Sequence, residues 1–247
     1  MKKIAIANRK GGVGKTTTAV HLAAALNSVD KRVLLIDTDT QGQCARMLGV
    51  EPPEGLSTLF DGESTPARAL TPIDDGFDLL AGTADLSGIS RDIARKDFRS
   101  EAVLSEALAP FEDKYDFVIL DSAPGYNPLS VNVLFYATEI LCPVSMEAMA
   151  VDGFVKFQQE IEPIQQHSGL ELRYILPTFI DGRVKKSEEI LEILKTHYSD
   201  KVLPGIHYSA RLSEAAGLGK LIFDYAIKDR SATDYGKVAG VVLKNGA

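Results

Sequence analysis

The segment that most restricts what this chain can become is Lys10-Gly-Gly-Val-Gly-Lys-Thr-Thr17, set between the apolar run Ile4–Asn8 and an Ala-rich stretch from Lys15 to Asn27. Gly11, Gly12 and Gly14 let the backbone curl until successive N–H groups converge. A helix that follows adds the partial positive charge of its N-terminus, and together they form a cradle for a phosphate chain. Lys15 is then placed to reach β- and γ-phosphates and Thr16 to ligate Mg²⁺, with Val13 and Thr17 completing the loop. The competing reading is a Gly-rich turn with incidental lysines. The strand before, the helix after and Thr16 in register all weigh against it.

Short apolar runs alternate with helical-period stretches along the rest of the chain, the pattern of βαβ units closing a parallel sheet covered on both faces. Strands are expected at Ile4–Asn8, Arg32–Thr38, Phe77–Ala81, Phe117–Asp121, Glu139–Val144, Leu172–Pro177 and Val202–Leu203. Helices are expected at Lys15–Asn27, Ser100–Phe111, Pro128–Ala137, Val151–His167, Val184–Tyr198, Ala210–Leu218 and Thr233–Leu243. Glu51–Asp75, with four prolines, reads as irregular acidic surface. The fold class is therefore α/β, a doubly wound, mostly parallel sheet with helices on both faces, and no linker divides the 247 residues into two domains.

Two cysteines, Cys44 and Cys142, far apart in the chain, exclude a disulfide framework and point to reduced thiols in a cytoplasmic protein. Neither belongs to a multi-cysteine motif, so neither an iron–sulfur cluster nor a thiolate zinc site is expected. No apolar run is long enough for a membrane span or a signal-peptide core.

In a doubly wound sheet ligands bind at the carboxyl ends of the strands. Two strands end there in acids, in Asp37-Thr-Asp39-Thr-Gln41-Gly42 and Asp121-Ser-Ala-Pro124-Gly125. A cation bridging phosphate oxygens needs carboxylates around it, and in-line attack needs an acceptor that orients water. A single Asp after a strand is usually a turn former. Two such stations beside a phosphate loop favour the catalytic reading.

The common phosphate loop has Gly where this chain has Arg9, and a second lysine, Lys10, stands beside it. That departure resembles the deviant Walker A motif of the ParA/MinD superfamily of ATPases. The resemblance covers essentially the whole chain and is closest to the short ParA/Soj branch. It implies ATP and Mg²⁺ as cofactors and a nucleotide-sandwich homodimer in which Lys10 crosses to the partner's phosphates. It implies Asp39 as the residue that positions water, Asp37 near the Mg²⁺ shell, Asp121 as the Walker B acid and Pro124-Gly125 as switch II. The family more often has Pro where Thr40 stands. Glu147 becomes a candidate contact across the dimer, its alternative being an ordinary exposed acid at a helix start. Ile206-His-Tyr-Ser209 occupies the loop that borders adenine in relatives.

The formal net charge of −7 argues against nucleic acid until it is resolved along the chain. Residues 1–180 carry 16 basic and 25 acidic side chains, whereas residues 181–247 carry 11 and 9. Relatives bind DNA without sequence preference through C-terminal cations. The resemblance implies that role for Arg183 and Arg211, with Lys185 and Lys186 beside the first and Lys220 as an addition. A solvated helix start, with Glu189 pairing Lys185, is the alternative. The resemblance thus implies nucleoid-associated partition of plasmid or chromosome DNA, stimulated by a ParB-like centromere binder or a cargo adaptor. The same cycle could move a protein body such as a carboxysome or chemoreceptor cluster. A metabolic or metal-maturation ATPase without DNA binding is the rival from another class. A MinD-like membrane helix is not expected, since Thr233–Ala247 offers only Lys237 and Lys244 as cations.

Overall fold

Val33-Leu-Leu-Ile and Phe117-Val-Ile-Leu are apolar at every position because both lie in the middle of a sheet packed on its two faces. The structure, a computed structural model, describes residues 1–147 and 149–245. Its strands are β1 Lys2–Ile6, β2 Val33–Asp37, β3 Leu70–Asp74, β4 Phe77–Leu80, β5 Phe117–Asp121, β6 Glu139–Ser145 and β7 Glu171–Thr178. They form one sheet in the order β3-β4-β2-β5-β1-β6-β7, parallel except for the β3–β4 pair.

The helices are α1 Lys15–Asn27, α2 Gln43–Leu48, α3 Leu56–Phe60, α4 Pro66–Ala69, α5 Leu86–Ala94, α6 Val103–Leu108, α7 Pro128–Tyr136, α8 Ala150–Ser168, α9 Lys185–Tyr198, α10 Ala210–Gly217, α11 Ile222–Tyr225 and α12 Arg230–Lys244. Alternate strand residues feed two cores. Ile4, Ile6, Val33, Leu35 and Ile119 pack with α1, α2 and α12, while Ala5, Leu34, Ile36, Val118 and Leu120 pack under α5 to α9. Helix α1 is buried from Thr18 to Leu26, which explains its Ala-rich, hardly amphipathic sequence. None of the described helices is long and apolar enough to cross a membrane.

Several expectations need correction. Glu51–Asp75 is not irregular: it contains α3, α4 and the edge strand β3, which runs antiparallel to β4 from Leu70 opposite Leu80. Pro72 is tolerated there because an edge strand has a side that needs no donor, and the register shifts beside it. Val202–Leu203 forms an isolated bridge to Ile175 instead of a strand, with Pro204 immediately after. The stretch expected as one helix over Ser100–Phe111 is α6 flanked by two 3₁₀ turns. Helices α2, α5 and α11 were not expected; α5 carries its buried Leu86, Ile89 and Ile93 at helical spacing. Helix α12 starts before Thr233 because Asp229 caps it, accepting the Ser231 N–H at 3.0 Å.

Among the backbone approaches too close for a side chain, one joins two helix ends. A Cβ on Gly49, just past α2, would stand 2.5 Å from the Gly219 carbonyl oxygen, and one on Gly219, just past α10, would stand 2.7 Å from the Gly49 Cα. Both residues have positive φ, 68° and 62°.

Candidate active site

The phosphate loop forms where β1 ends. Asn8 donates to the Pro143 carbonyl at 2.7 Å and accepts the Lys10 N–H at 3.0 Å, which fixes the first bend. Gly12 and Gly14 take φ of 72° and 89°, a region costly for other residues, and Gly14 is the left-handed N-cap of α1. The Thr178 hydroxyl donates to the Val13 carbonyl at 2.9 Å, and the Gly125 N–H donates to the Arg9 carbonyl at 3.1 Å. The loop is thereby tied to β7 on one side and to the Pro124-Gly125 turn on the other.

The two lysines part company. Lys15 is 7% exposed, and its ammonium donates to the Lys10 carbonyl at 3.0 Å. Burial pulls its pKa down, while the nearby Asp121 and Asp39 carboxylates oppose that shift. Lys10 has a side chain 41% exposed and reaches Ser145 and Glu147, each at 3.5 Å. Arg9, in the slot usually held by Gly, pairs with Glu160 of α8.

Sheet register brings the carboxylate stations together. Strands β2 and β5 end side by side, with Asp37 opposite Asp121, and both residues are fully buried. Asp37 Oδ1 accepts the Asp39 N–H at 2.9 Å and Oδ2 accepts the Cys44 N–H at 3.0 Å. Asp121 Oδ1 has no partner, and Oδ2 faces the Cys44 thiol at 3.6 Å. Burial pushes both acids up, and each is raised further by a neighbouring carboxylate. Thr16 and Lys15 adjoin Asp121 and pull the other way. Two facing buried carboxylates, one with an orphaned oxygen, beside a hydroxyl at a helix start, are a donor set that fits a hard divalent cation.

Asp39 stands apart from this pair. Its Oδ1 accepts the Gln41 N–H at 3.0 Å, and the residue opens on a cleft of about 580 Å³ between its own loop, α5 and the Pro124 turn. A second cavity, about 430 Å³, begins at Gly14 and Thr17 and is walled by Arg46, Phe179, Tyr208 and Tyr235. Its size suits a nucleoside. The loop Ile206–Ser209 does border it, positioned by Asp234, whose Oδ2 accepts both the His207 N–H at 3.1 Å and the His207 ring at 2.8 Å. Arg46 and Phe179 were missed from sequence. Phe179 carries a signal only in the fold, a φ of 54° that a non-glycine residue rarely holds.

The C-terminal cations do not form one group. Arg183 is bound by Asp181 through Nε at 2.9 Å and Nη2 at 2.7 Å, which holds the Asp181 carboxyl well below its ordinary range. Lys185 and Lys186 open α9 and make no ion pair among the described residues; the Lys185–Glu189 pairing is not formed. Arg211 lies in the first turn of α10. Lys220 lines a separate cleft at the far end of α1 with Asp74 and Asp224.

Residues 1–174 match the family model described as an AAA domain. The chain is 37% identical to the chromosome-partitioning ATPase Soj of Thermus thermophilus, covering 98% of this chain and 96% of that protein. It is 34% identical to the chromosome partitioning protein ParA of Caulobacter vibrioides, covering 98% and 94%. Among solved structures, Mycobacterium smegmatis cobyrinic acid a,c-diamide synthase with bound ATP analogue and magnesium superposes with a TM-score of 0.82 at 31% identity, covering 99% of this chain and 95% of that one. An ATP complex of Cyanothece McdA superposes with a TM-score of 0.83 at 26% identity, covering 100% and 96%. A phosphate loop with two diverging lysines, two acid-tipped central strands and full-length identity above 30% place the chain in the Soj/ParA family of chromosome-partitioning ATPases.

Proposed function

We propose that this chain, read as one domain over residues 1–247, is a cytoplasmic, nucleoid-associated partition ATPase. ATP pairs two copies, the pair binds DNA without sequence preference, and a partner-stimulated hydrolysis releases it. The observation that carries this reading is the divergence of the lysines. Lys15 is folded into its own loop beside Asp121, whereas Lys10 projects from the surface beside Glu147, where it can meet a second copy.

In this reading Gly11 to Thr17 hold the phosphates through backbone N–H groups and the α1 N-terminus, and Lys15 neutralises the terminal phosphates. Mg²⁺ would be held by Thr16, Asp37 and Asp121, and when bound it supplies charge neutralisation at the phosphate oxygens. Asp39 orients water for in-line attack, and its cleft gives a stimulating partner access to that loop. Lys10 and Glu147 meet the second copy.

DNA contact is assigned to Arg211, Lys185 and Lys186, with Arg183 available only when it leaves Asp181. Two cations in the first turn of α9 oppose the helix dipole. Their presence there is explained by an anionic ligand, for which a helix N-terminus is itself favourable. Lys220, which lines a cleft with Asp74 and Asp224, is the weaker addition to these contacts. The partner is a ParB-like centromere binder or an adaptor, and it selects the cargo.

The test is DNA affinity with ATP, ADP and no nucleotide across a salt series. Six phosphate contacts from two copies of Arg211, Lys185 and Lys186 give a loss on the order of a thousandfold between 50 and 200 mM salt, with ATP only. Binding indifferent to ATP overturns the reading, and no binding in any nucleotide state favours an ATPase that works without DNA.

A further inference from the structure

We propose that Asp37, Cys44 and Asp121 form a binding site for a thiophilic divalent cation of the zinc class, at the buried ends of the two central strands beside the phosphate loop. One carboxylate oxygen of each acid and the Cys44 sulfur lie within 4.8 Å of one another, and all three residues are buried. The sequence contains no multi-thiol zinc motif, but the fold completes a mixed donor set that spacing alone does not reveal.

The geometry is close to that of a coordination shell. Zn–S of about 2.3 Å and Zn–O of about 2.0 Å at a tetrahedral angle put sulfur and oxygen roughly 3.5 Å apart. Cys44 Sγ and Asp121 Oδ2 are 3.6 Å apart. Asp121 Oδ1 is buried without any partner. Each Asp37 oxygen holds one backbone N–H and keeps a lone pair for a metal. Coordination therefore displaces only the thiol–carboxylate hydrogen bond, and the thiol proton leaves to solvent as the sulfur binds.

Packing alone does not account for this arrangement. Cys142 is equally buried, yet among the described residues its thiol meets the Pro143 carbonyl at 4.0 Å and adjoins Asn8 and Lys15, with no carboxylate acting on it. It shows what a cysteine used as a small apolar residue looks like in this protein. Cys44 instead lies between two acids that repel each other.

Thiolate donors select zinc-class ions, whose affinity for mixed sites exceeds that of oxygen-seeking magnesium. A thiophilic ion here shares Asp37 and Asp121 with the cation of ATP hydrolysis and excludes it. This competition rests on the magnesium assignment above; the coordination itself does not.

The experiment titrates the full-length, nucleotide-free protein with Co²⁺ as a spectroscopic stand-in. A thiolate-to-cobalt charge-transfer band should appear and be bleached by zinc. Cys44→Ser and Cys44→Ala should remove it, and Cys142→Ala should keep it. No band in the folded wild type, or a band that survives Cys44→Ser, overturns the proposal. Hydrolysis separates the two readings: zinc inhibition should be relieved by excess magnesium and be at least about tenfold weaker in Cys44→Ser, following the loss of one of three ligands. A Cys44-dependent cobalt band without magnesium relief supports the thiol site and overturns the magnesium assignment.

Discussion

At the carboxyl ends of β2 and β5, Asp37 and Asp121 are fully buried and the loops around them are pinned by backbone hydrogen bonds; at the start of α9, Lys185 and Lys186 stand exposed with no ion pair among the described residues. The first region places its charge by sheet register, with Asp37 opposite Asp121. The second only presents charge. Nucleotide chemistry needs fixed positions in a dry site, whereas phosphate contacts along DNA need cations on one face. Substitutions should accordingly act steeply in the first region and gradually in the second.

The largest effect is expected from Lys15→Ala. Removing one buried charge-assisted phosphate contact should weaken ATP binding by about a hundredfold, read by calorimetry or a fluorescent analogue. Asp39→Ala should keep ATP affinity and slow hydrolysis by about a hundredfold, trapping an ATP dimer visible in size-exclusion chromatography. Hydrolysis at the normal rate would break the assignment of Asp39.

Next comes a buried group in the helix that follows the phosphate loop. His21 of α1 donates from Nδ1 to the Thr17 carbonyl at 2.8 Å, accepts the Ile222 N–H at Nε2 at 3.1 Å and stacks on Tyr235. Both ring nitrogens are committed to the neutral form, and burial lowers its pKa from 6.5 to about 4. The unfolded chain therefore takes up the proton first, so stability is full above about pH 7 and falls between pH 6.5 and 4. Between pH 7.5 and 5 this group should remove about 2 kcal/mol. The difference between wild-type and His21→Gln denaturation profiles measures it, and parallel profiles would exclude the locked tautomer.

Smaller effects belong to the exposed region. Arg211→Glu should weaken DNA binding by about tenfold while leaving ATP affinity alone, and should flatten the salt slope. Asp181→Ala should raise DNA affinity about threefold by releasing Arg183 from its bidentate partner. Unchanged affinity in both would detach these arginines from the DNA surface.

Much of the nucleotide site was legible because its parts are local. Gly12, Gly14, Lys15 and Thr16 form a contiguous loop whose glycines take the expected left-handed turns, and Asp37 and Asp121 end apolar runs that only central strands can have. What escaped depends on contacts between distant segments. The Arg183–Asp181 pair holds a guanidinium proposed for DNA through a hydrogen bond that residue type alone does not predict. Phe179 and Arg46 reach the nucleoside-sized cavity only when β7 and α2 are placed around Gly14. The Glu51–Asp75 stretch looked irregular because an antiparallel edge strand tolerates the proline that would disqualify a central one.

The Gly49–Gly219 approach has a mechanical consequence. Helix α2 begins just after the Asp39 loop, and Gly49 closes it; helix α10 begins with Arg211 in its first turn, and Gly219 lies just past its end. With backbone against backbone at this distance there is no side chain to yield between them. The two helices meet there through main chain alone, so their separation at this point is set by the backbone and not by a rotamer. Adding a single methyl at Gly49 would bring it against the Gly219 carbonyl oxygen and force α2 and α10 apart.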